Sequence, residues 1–250
     1  MKALGIDIGG SGIKGALVDT EKGELVTERY RFPTPRPAKP KAVITTIKKI
    51  VDHFDYSGPL GIGFPGIVVD GVLLSAVNIH KDWVGFAGRK EIEKATGCQV
   101  VIGNDADVAG IAEMRYGFGR NAKGVTMLFT LGTGIGSSMF VNQQLVPNLE
   151  LGHLYLANHK KDVEDYTSDR ARKEKELSWQ EWGNRLNEYF NYIEFLFSPQ
   201  RIIIGGGVST KHKKFLKYID VRAEVVPAEL RNEAGIIGAA AAALSGGYPL

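Results

Sequence analysis

Cysteine is nearly missing from this chain of 250 residues, in which Cys98 stands alone. A single thiol excludes an internal disulfide framework and any multi-cysteine metal centre. Long apolar runs are missing as well. The longest fall well short of the ~20 residues that span a bilayer, so no membrane partner is expected. Charge of one sign is scarce, the net being +3. That excess is too small for the whole molecule to hold nucleic acid electrostatically, and no nucleic-acid partner is expected. What is present, 44% apolar and 24% charged residues, is the composition of an ordinary globular protein. The length suits one large domain or two lobes with ample core. The chain opens directly on strand-like Lys2-Ala3-Leu4-Gly5-Ile6-Asp7, so no leader is expected and the cytoplasm is the expected location.

Two short glycine turns dominate what is there. One is Asp7-Ile8-Gly9-Gly10-Ser11-Gly12-Ile13-Lys14, the other Leu131-Gly132-Thr133-Gly134-Ile135-Gly136. They align without a gap from Gly10 on Gly132 to Ile13 on Ile135, and each lies between apolar runs. The pattern predicts strand, tight turn, strand, used twice. Glycines let backbone N–H groups crowd around an anion, and the Ser/Thr hydroxyls add donors. Either turn alone would serve equally as a plain hairpin. Two in register, facing one another, would hold a phosphate chain. The acid before the first turn and the lysine after it suit phosphoryl transfer.

Residues 2–7, 13–19 and about 24–31 read as antiparallel strands, with Glu21-Lys22-Gly23 turning between the last two. Pro33, Pro35, Pro37 and Pro40 make a stiff connector, followed by a helix over about 41–53. Leu60–Phe64 is a short buried strand, and Asp70-Gly71 is a hairpin dipeptide. A helix closes at Thr96 with Gly97 as its cap. The strand Val100–Ile102 then leads to Asn104-Asp105, where a helix runs from Ala106 to about Tyr116. This puts Asp105 at the C-terminal end of a strand, the edge where open α/β sheets bind ligands. The charge-dense stretch 159–177 reads as solvated helix or loop. Trp179–Phe197 is an amphipathic helix whose Trp179, Trp182, Tyr189, Phe190, Tyr192 and Phe195 suit core or interface. The strand Arg201–Ile204 enters Gly205-Gly206-Gly207-Val208-Ser209, and an alanine-rich helix closes the chain. The expected fold class is α/β with mixed sheets. It has a small lobe, 1–106 plus about 235–250, a larger lobe, 107–234, and an interlobe cleft.

Taken in order, these turns together with Asn104-Asp105-Ala106-Asp107, Glu150-Leu151-Gly152-His153 and Gly205-Gly206-Gly207-Val208-Ser209 resemble the sugar kinases of the ROK family. The resemblance covers nearly the whole chain and implies the two-lobed ribonuclease-H-like, or actin/hexokinase-like, fold. Two departures narrow it. Family kinases commonly follow Glu-x-Gly-His with three cysteines that bind zinc with that histidine, but no cysteine follows Cys98. No structural zinc or other resident metal is therefore expected. Family repressors carry an N-terminal DNA-binding segment, whereas this sequence starts at the first kinase strand. Trp179-Gln180-Glu181-Trp182, Phe197-Ser198-Pro199 and Val226-Pro227-Ala228-Glu229-Leu230-Arg231-Asn232 are similar to the family's polyphosphate glucokinases.

That resemblance implies transfer of a phosphoryl group from inorganic polyphosphate to the 6-hydroxyl of glucose. Asp105 would be the general base, because a hydroxyl attacks phosphorus poorly unless a carboxylate accepts its proton. Read locally, Asp105 serves equally well as a helix N-cap, and Asp107 is the spare carboxylate. Sugar contacts are implied for Asn78, Asn104, Glu150 and His153, with Glu164 in place of the glutamate that follows the absent cysteines. Phosphate contacts fall to Gly9, Gly10, Ser11, Gly12, Lys14, Gly132, Thr133 and Gly134, with Asp7 orienting Mg²⁺ through water. Lys211, Lys213, Lys214 and Lys217, with Arg170, Arg172 and Lys173, form either a polyanion track or an ordinary solvated face. A homodimer is expected by family likeness. The rival readings are an ATP-dependent hexose kinase and a non-catalytic sugar-binding regulatory module.

Overall fold

The computed structural model describes residues 1–76 and 79–245. It divides into two compact units, residues 1–116 with the segment from Glu233, and Gly117–Asn232.

The first unit is built on the hairpin of β1 (Lys2–Ile8) and β2 (Ile13–Asp19), followed by the short β3 (Glu24–Leu25) and β4 (Tyr30–Phe32). The expected third strand is thus broken in two. The Leu17 N–H turns from the ladder to the Thr27 hydroxyl at 3.1 Å, and the chain leaves the sheet before rejoining it at β4. Helix α1 (Pro40–His53) starts with Pro40 in its first turn, where a missing N–H costs nothing. Strand β5 (Leu60–Phe64) is wholly buried. β6 (Val68–Val69) and β7 (Val72–Leu73) meet at Asp70-Gly71, both with positive φ, as a two-residue hairpin demands. Helix α2 (Gly88–Thr96) ends on Gly97 in the left-handed conformation. β8 (Val100–Asn104) then feeds α3 (Asp105–Tyr116). β1, β5 and β8 run parallel as neighbours, with β2 antiparallel on the other side of β1.

The second unit repeats this scheme. β9 (Val125–Leu131) and β10 (Ile135–Val141) form its hairpin, extended by β11 (Gln144–Val146). The charge-dense stretch becomes two short helices, α4 (Val163–Thr167) and α5 (Asp169–Glu174). Helix α6 (Trp179–Phe197) opens with a complete capping box between Ser178 and Glu181. It buries Trp182, Tyr189 and Phe190, and leaves Phe195 81% exposed beside Tyr192. β12 (Arg201–Gly205) lies parallel to β9 and to β13 (Glu224–Pro227), a strand the sequence did not announce.

The closing helix α7 (Ala234–Leu244) belongs to the first unit. Its small residues let it lie at backbone distance from its neighbours: a methyl group on Gly61 would overlap the Ala239 carbonyl, and one on Gly238 that of Val108. This contact with α3 explains why the division falls after α3, where the sequence suggested 106/107. Among the described residues no helix is long and apolar enough to cross a membrane.

Candidate functional site

In the first unit the C-terminal ends of β1, β5 and β8 share one sheet edge, and Asp7, Asn104 and Asp105 lie along it. Asp7 pairs in register with Lys14 across the hairpin and with Gly63 on β5. The Lys14 ammonium lies 3.5 Å from the Asp7 carboxylate, which is 21% exposed. Burial raises the Asp7 carboxyl above its ordinary range despite the opposing pull of Lys14. The turn itself covers residues 9–12, closed by the Gly9 N–H on the Gly12 carbonyl at 3.0 Å. Two side chains brought by β4 and its connector fix it. The Arg31 guanidinium donates to the Ser11 carbonyl at 3.0 Å, and the Thr34 hydroxyl to the Gly9 carbonyl at 2.5 Å. The glycines of this turn do not need positive φ; a side chain on Gly12 would displace the Arg31 guanidinium. Sequence reasoning missed both partners, since neither lies near the motif.

Two strands away, roughly 10 Å at normal sheet spacing, β8 ends on Asn104. Its side-chain oxygen accepts from the N–H groups of Ala106 and Asp107 at 2.9 and 3.2 Å, and its amide donates to the Gly66 carbonyl at 3.2 Å. Asn104 is therefore the N-cap of α3. Asp105, half-buried, is the first residue of the helix, with one carboxylate oxygen 2.8 Å from the Ala106 N–H. Asp107, two positions after Asp105, is fully buried. Asn78 lies outside the described residues.

In the second unit the turn covers residues 132–134, one residue shorter than its counterpart, with the Gly132 N–H on the Gly134 carbonyl at 3.0 Å. It rests on α4. Glu164 accepts from the Ile135 N–H at 2.9 Å, and a side chain on Gly134 would push its carboxylate from that place. Arg170 holds the outer side, its backbone N–H on the Gly132 carbonyl at 3.1 Å and its guanidinium on the Thr133 carbonyl at 3.0 Å. Arg170, read from the sequence only as part of a basic cluster, thus binds the turn itself.

Glu150 and His153 flank a single 3-10 turn pinned to β10. The Ser137 hydroxyl donates to the Leu149 carbonyl and accepts from the Leu151 N–H, both at 3.0 Å. Burial, and then the charge of Glu164, raise the Glu150 carboxyl, while His153 opposes them. The His153 ring meets Asp162 through Nδ1 at 3.0 Å, and this bond, chiefly, raises its pKa. Glu164 thus acts electrostatically on both members of the predicted sugar pair while bonded to the glycine turn.

Beside this turn lies a cavity of about 630 Å³, lined by Gly132, Thr133, Gly207 and the side chains of Arg170, Arg172, Lys173 and Lys211 among others. Two carboxylates, Asp169 and Glu174, face these four cations. Asp169 is bonded to Arg172 at 2.9 Å and Lys173 at 2.7 Å, which lowers its pKa against the effect of burial. Lys213, Lys214 and Lys217 do not line the cavity, although Lys214 lies over the Trp179 ring at 5.5 Å. The wall can take a polyanion: backbone donors of a turn at one end, fixed cations along it.

Known proteins are similar to this chain over nearly its whole length. The chain is 43% identical to a polyphosphate glucokinase of Mycobacterium tuberculosis over 243 residues, 97% of this chain and 91% of that one. The solved inorganic polyphosphate/ATP-glucomannokinase of Arthrobacter sp. strain KM superposes with a TM-score of 0.90 at 45% identity, covering 96% of each chain. A ROK family glucokinase from Streptomyces griseus, solved with glucose and AMPPNP, gives 0.80 at 25% identity over 96% of this chain and 98% of its own. The mixed-sheet α/β architecture is thus the actin/hexokinase-like fold of these kinases. The profile of the ROK family matches residues 3–173, and the chain is a member of that family.

Proposed function

We propose that this protein is a polyphosphate-dependent glucokinase, moving the terminal phosphoryl group of inorganic polyphosphate to the 6-hydroxyl of glucose. One observation supports the catalytic assignment: Asn104 caps α3 at two N–H groups, so the helix start does not rest on the Asp105 carboxylate alone. The likeness to polyphosphate glucokinases over nearly the whole chain supports the choice of sugar and donor.

Asp105 accepts the proton of the 6-hydroxyl as the new O–P bond forms. The bond from phosphorus to the bridging oxygen breaks, and the shortened polyphosphate leaves with that electron pair. Glu150 and His153 hold sugar hydroxyls, and Asn104 fixes Asp105 by holding the start of its helix. Backbone N–H groups of both glycine turns, with Lys14, bind phosphate oxygens, and the cations lining the second-unit cavity take the following stretch of polymer. A divalent ion fits Asp7, since Mg²⁺ keeps most of its waters and needs only one or two carboxylates beside substrate phosphates. When bound, Mg²⁺ neutralises charge on the donor oxygens. Family likeness alone supports the further reading of a homodimer acting in the cytoplasm.

The test is the initial rate of glucose 6-phosphate formation with polyphosphate of defined length against ATP, in enzyme freed of nucleotide. Polyphosphate turnover is expected. Turnover with ATP alone would make it an ATP-dependent hexose kinase, and glucose binding without turnover on any donor a regulatory module.

A further inference from the structure

We propose that Asp162 is a positioning residue for sugar recognition, fixing the ring of His153 so that Nε2 is offered to a sugar hydroxyl. The inference rests on the reading of His153 as a sugar ligand, but its structural half stands alone. The Asp162 carboxylate has two tasks, one per oxygen. Oδ1 caps α4 by accepting from the Asp165 N–H at 2.9 Å, and Oδ2 lies 3.0 Å from Nδ1 of His153. A carboxylate only accepts, so Nδ1 must carry the ring proton. Nε2 then accepts a hydrogen bond in the neutral ring and donates in the charged one, and it has no protein partner among the described residues.

The arrangement is rigid at both ends. Asp162 is 22% exposed against 43% for His153, so the anchor is the more buried partner. Its helix follows a backbone bond from the Val163 N–H to the Leu154 carbonyl at 2.8 Å, which ties the start of α4 to the residue after His153. Glu164, two positions on, holds the second glycine turn through Ile135. Helix α4 therefore fixes the His153 ring through one acidic side chain and the glycine turn through another. A ring free to turn about χ2 would lose orientation and tautomer together, weakening recognition of a hydroxyl that needs one aligned partner.

Asp162→Ser separates the two tasks, because serine caps a helix as well as aspartate does but is too short to hold the ring. Asp162→Asn has one oxygen for the two bonds, its other terminus being a donor, so it cannot both cap α4 and accept from Nδ1–H. Ring ¹⁵N NMR, with the His153 signal assigned from His153→Ala, reads the tautomer. Equilibrium binding of glucose without donor reads recognition. In Asp162→Ser we expect the Nδ1–H form to lose its dominance and the glucose Kd to rise about tenfold, the scale of one charged hydrogen bond. With its oxygen on the cap, Asp162→Asn turns an NH2 group toward Nδ1 and favours the Nε2–H tautomer, so glucose binding should weaken about as much as in Asp162→Ser. An unchanged tautomer in Asp162→Ser would overturn the proposal. So would a changed tautomer with unchanged glucose binding. In that last case His153→Ala locates the fault: unaltered binding there removes His153 from the sugar site, whereas weakened binding shows that ring orientation does not matter.

Discussion

Exchanging neighbours at the end of β8 should separate stability from catalysis. Asn104→Ala removes two cap hydrogen bonds to α3 and one to the Gly66 carbonyl. A lost cap costs ~1 kcal/mol and a buried amide bond ~1 kcal/mol more. At about 2–4 °C per kcal/mol for a chain of this size, the melting temperature should fall by roughly 4–8 °C. Asp105→Asn leaves that cap in place, keeps an oxygen for the Ala106 N–H, and gives up the favourable placement of a negative charge in the first helical turn, ~0.5 kcal/mol. Its melting temperature should therefore drop by no more than about 1–2 °C. Turnover should behave in the opposite way. Loss of a general base removes about 10²–10⁴-fold from kcat, equivalent to ~3–5 kcal/mol of barrier, with glucose binding nearly unchanged. Thermal melts, glucose binding isotherms and steady-state rates on the same preparations are sufficient. A variant Asp105→Asn that melts as early as Asn104→Ala yet keeps most of its turnover would make Asp105 a structural acid and refute the reasoning.

Asp7 should behave as a carboxylate kept for function at a cost in stability. Its folded pKa is raised by burial, so the folded chain binds that proton more tightly than the unfolded one. The stabilisation is complete below the unfolded pKa, about 3.9, and is lost as pH rises through the folded value. Asp7→Asn should accordingly gain in melting temperature over the wild type as pH rises from about 3 to 7 while losing activity; a difference that shrinks with pH would contradict this. Gly134→Ala drives a methyl group into the Glu164 carboxylate. It should cost ~1–3 kcal/mol in urea unfolding and raise the KM for donor, whereas normal stability would show that Glu164 yields easily. The double variant Arg172→Ala, Lys211→Ala should raise the KM for polyphosphate and flatten its dependence on salt, leaving the KM for glucose unchanged. An equal rise in both KM values would argue against donor binding in this cavity.

The hairpins, helices α1, α6 and α7, and the place of Asp105 at a strand end were legible because their signals are local: alternation, helical spacing, a capping residue, a glycine after the last turn. Other features depend on contacts distant in sequence. The third strand breaks because the Thr27 hydroxyl takes a ladder N–H, which β-propensity does not encode. Asn104 and Asp105 are both good capping residues, so only coordinates show that Asn104 performs the capping. Arg31 and Thr34 reach the first glycine turn because β4 pairs with β2. Asp162 reaches His153 across a loop. Asp162 sits in a stretch read only as charge-dense, and nothing local marks it as a ring partner. The basic stretch divides too, since Lys211 lines the cavity and Lys213 does not, depending on where each falls on a 3-10 turn.

The most direct test is ³¹P NMR of enzyme, glucose, Mg²⁺ and long-chain polyphosphate without nucleotide. The account predicts a growing phosphomonoester signal coupled to the C6 protons of glucose, with loss of polymer end groups and only slow orthophosphate release. Orthophosphate appearing without any sugar ester, or an ester formed only once ATP is added, would contradict it.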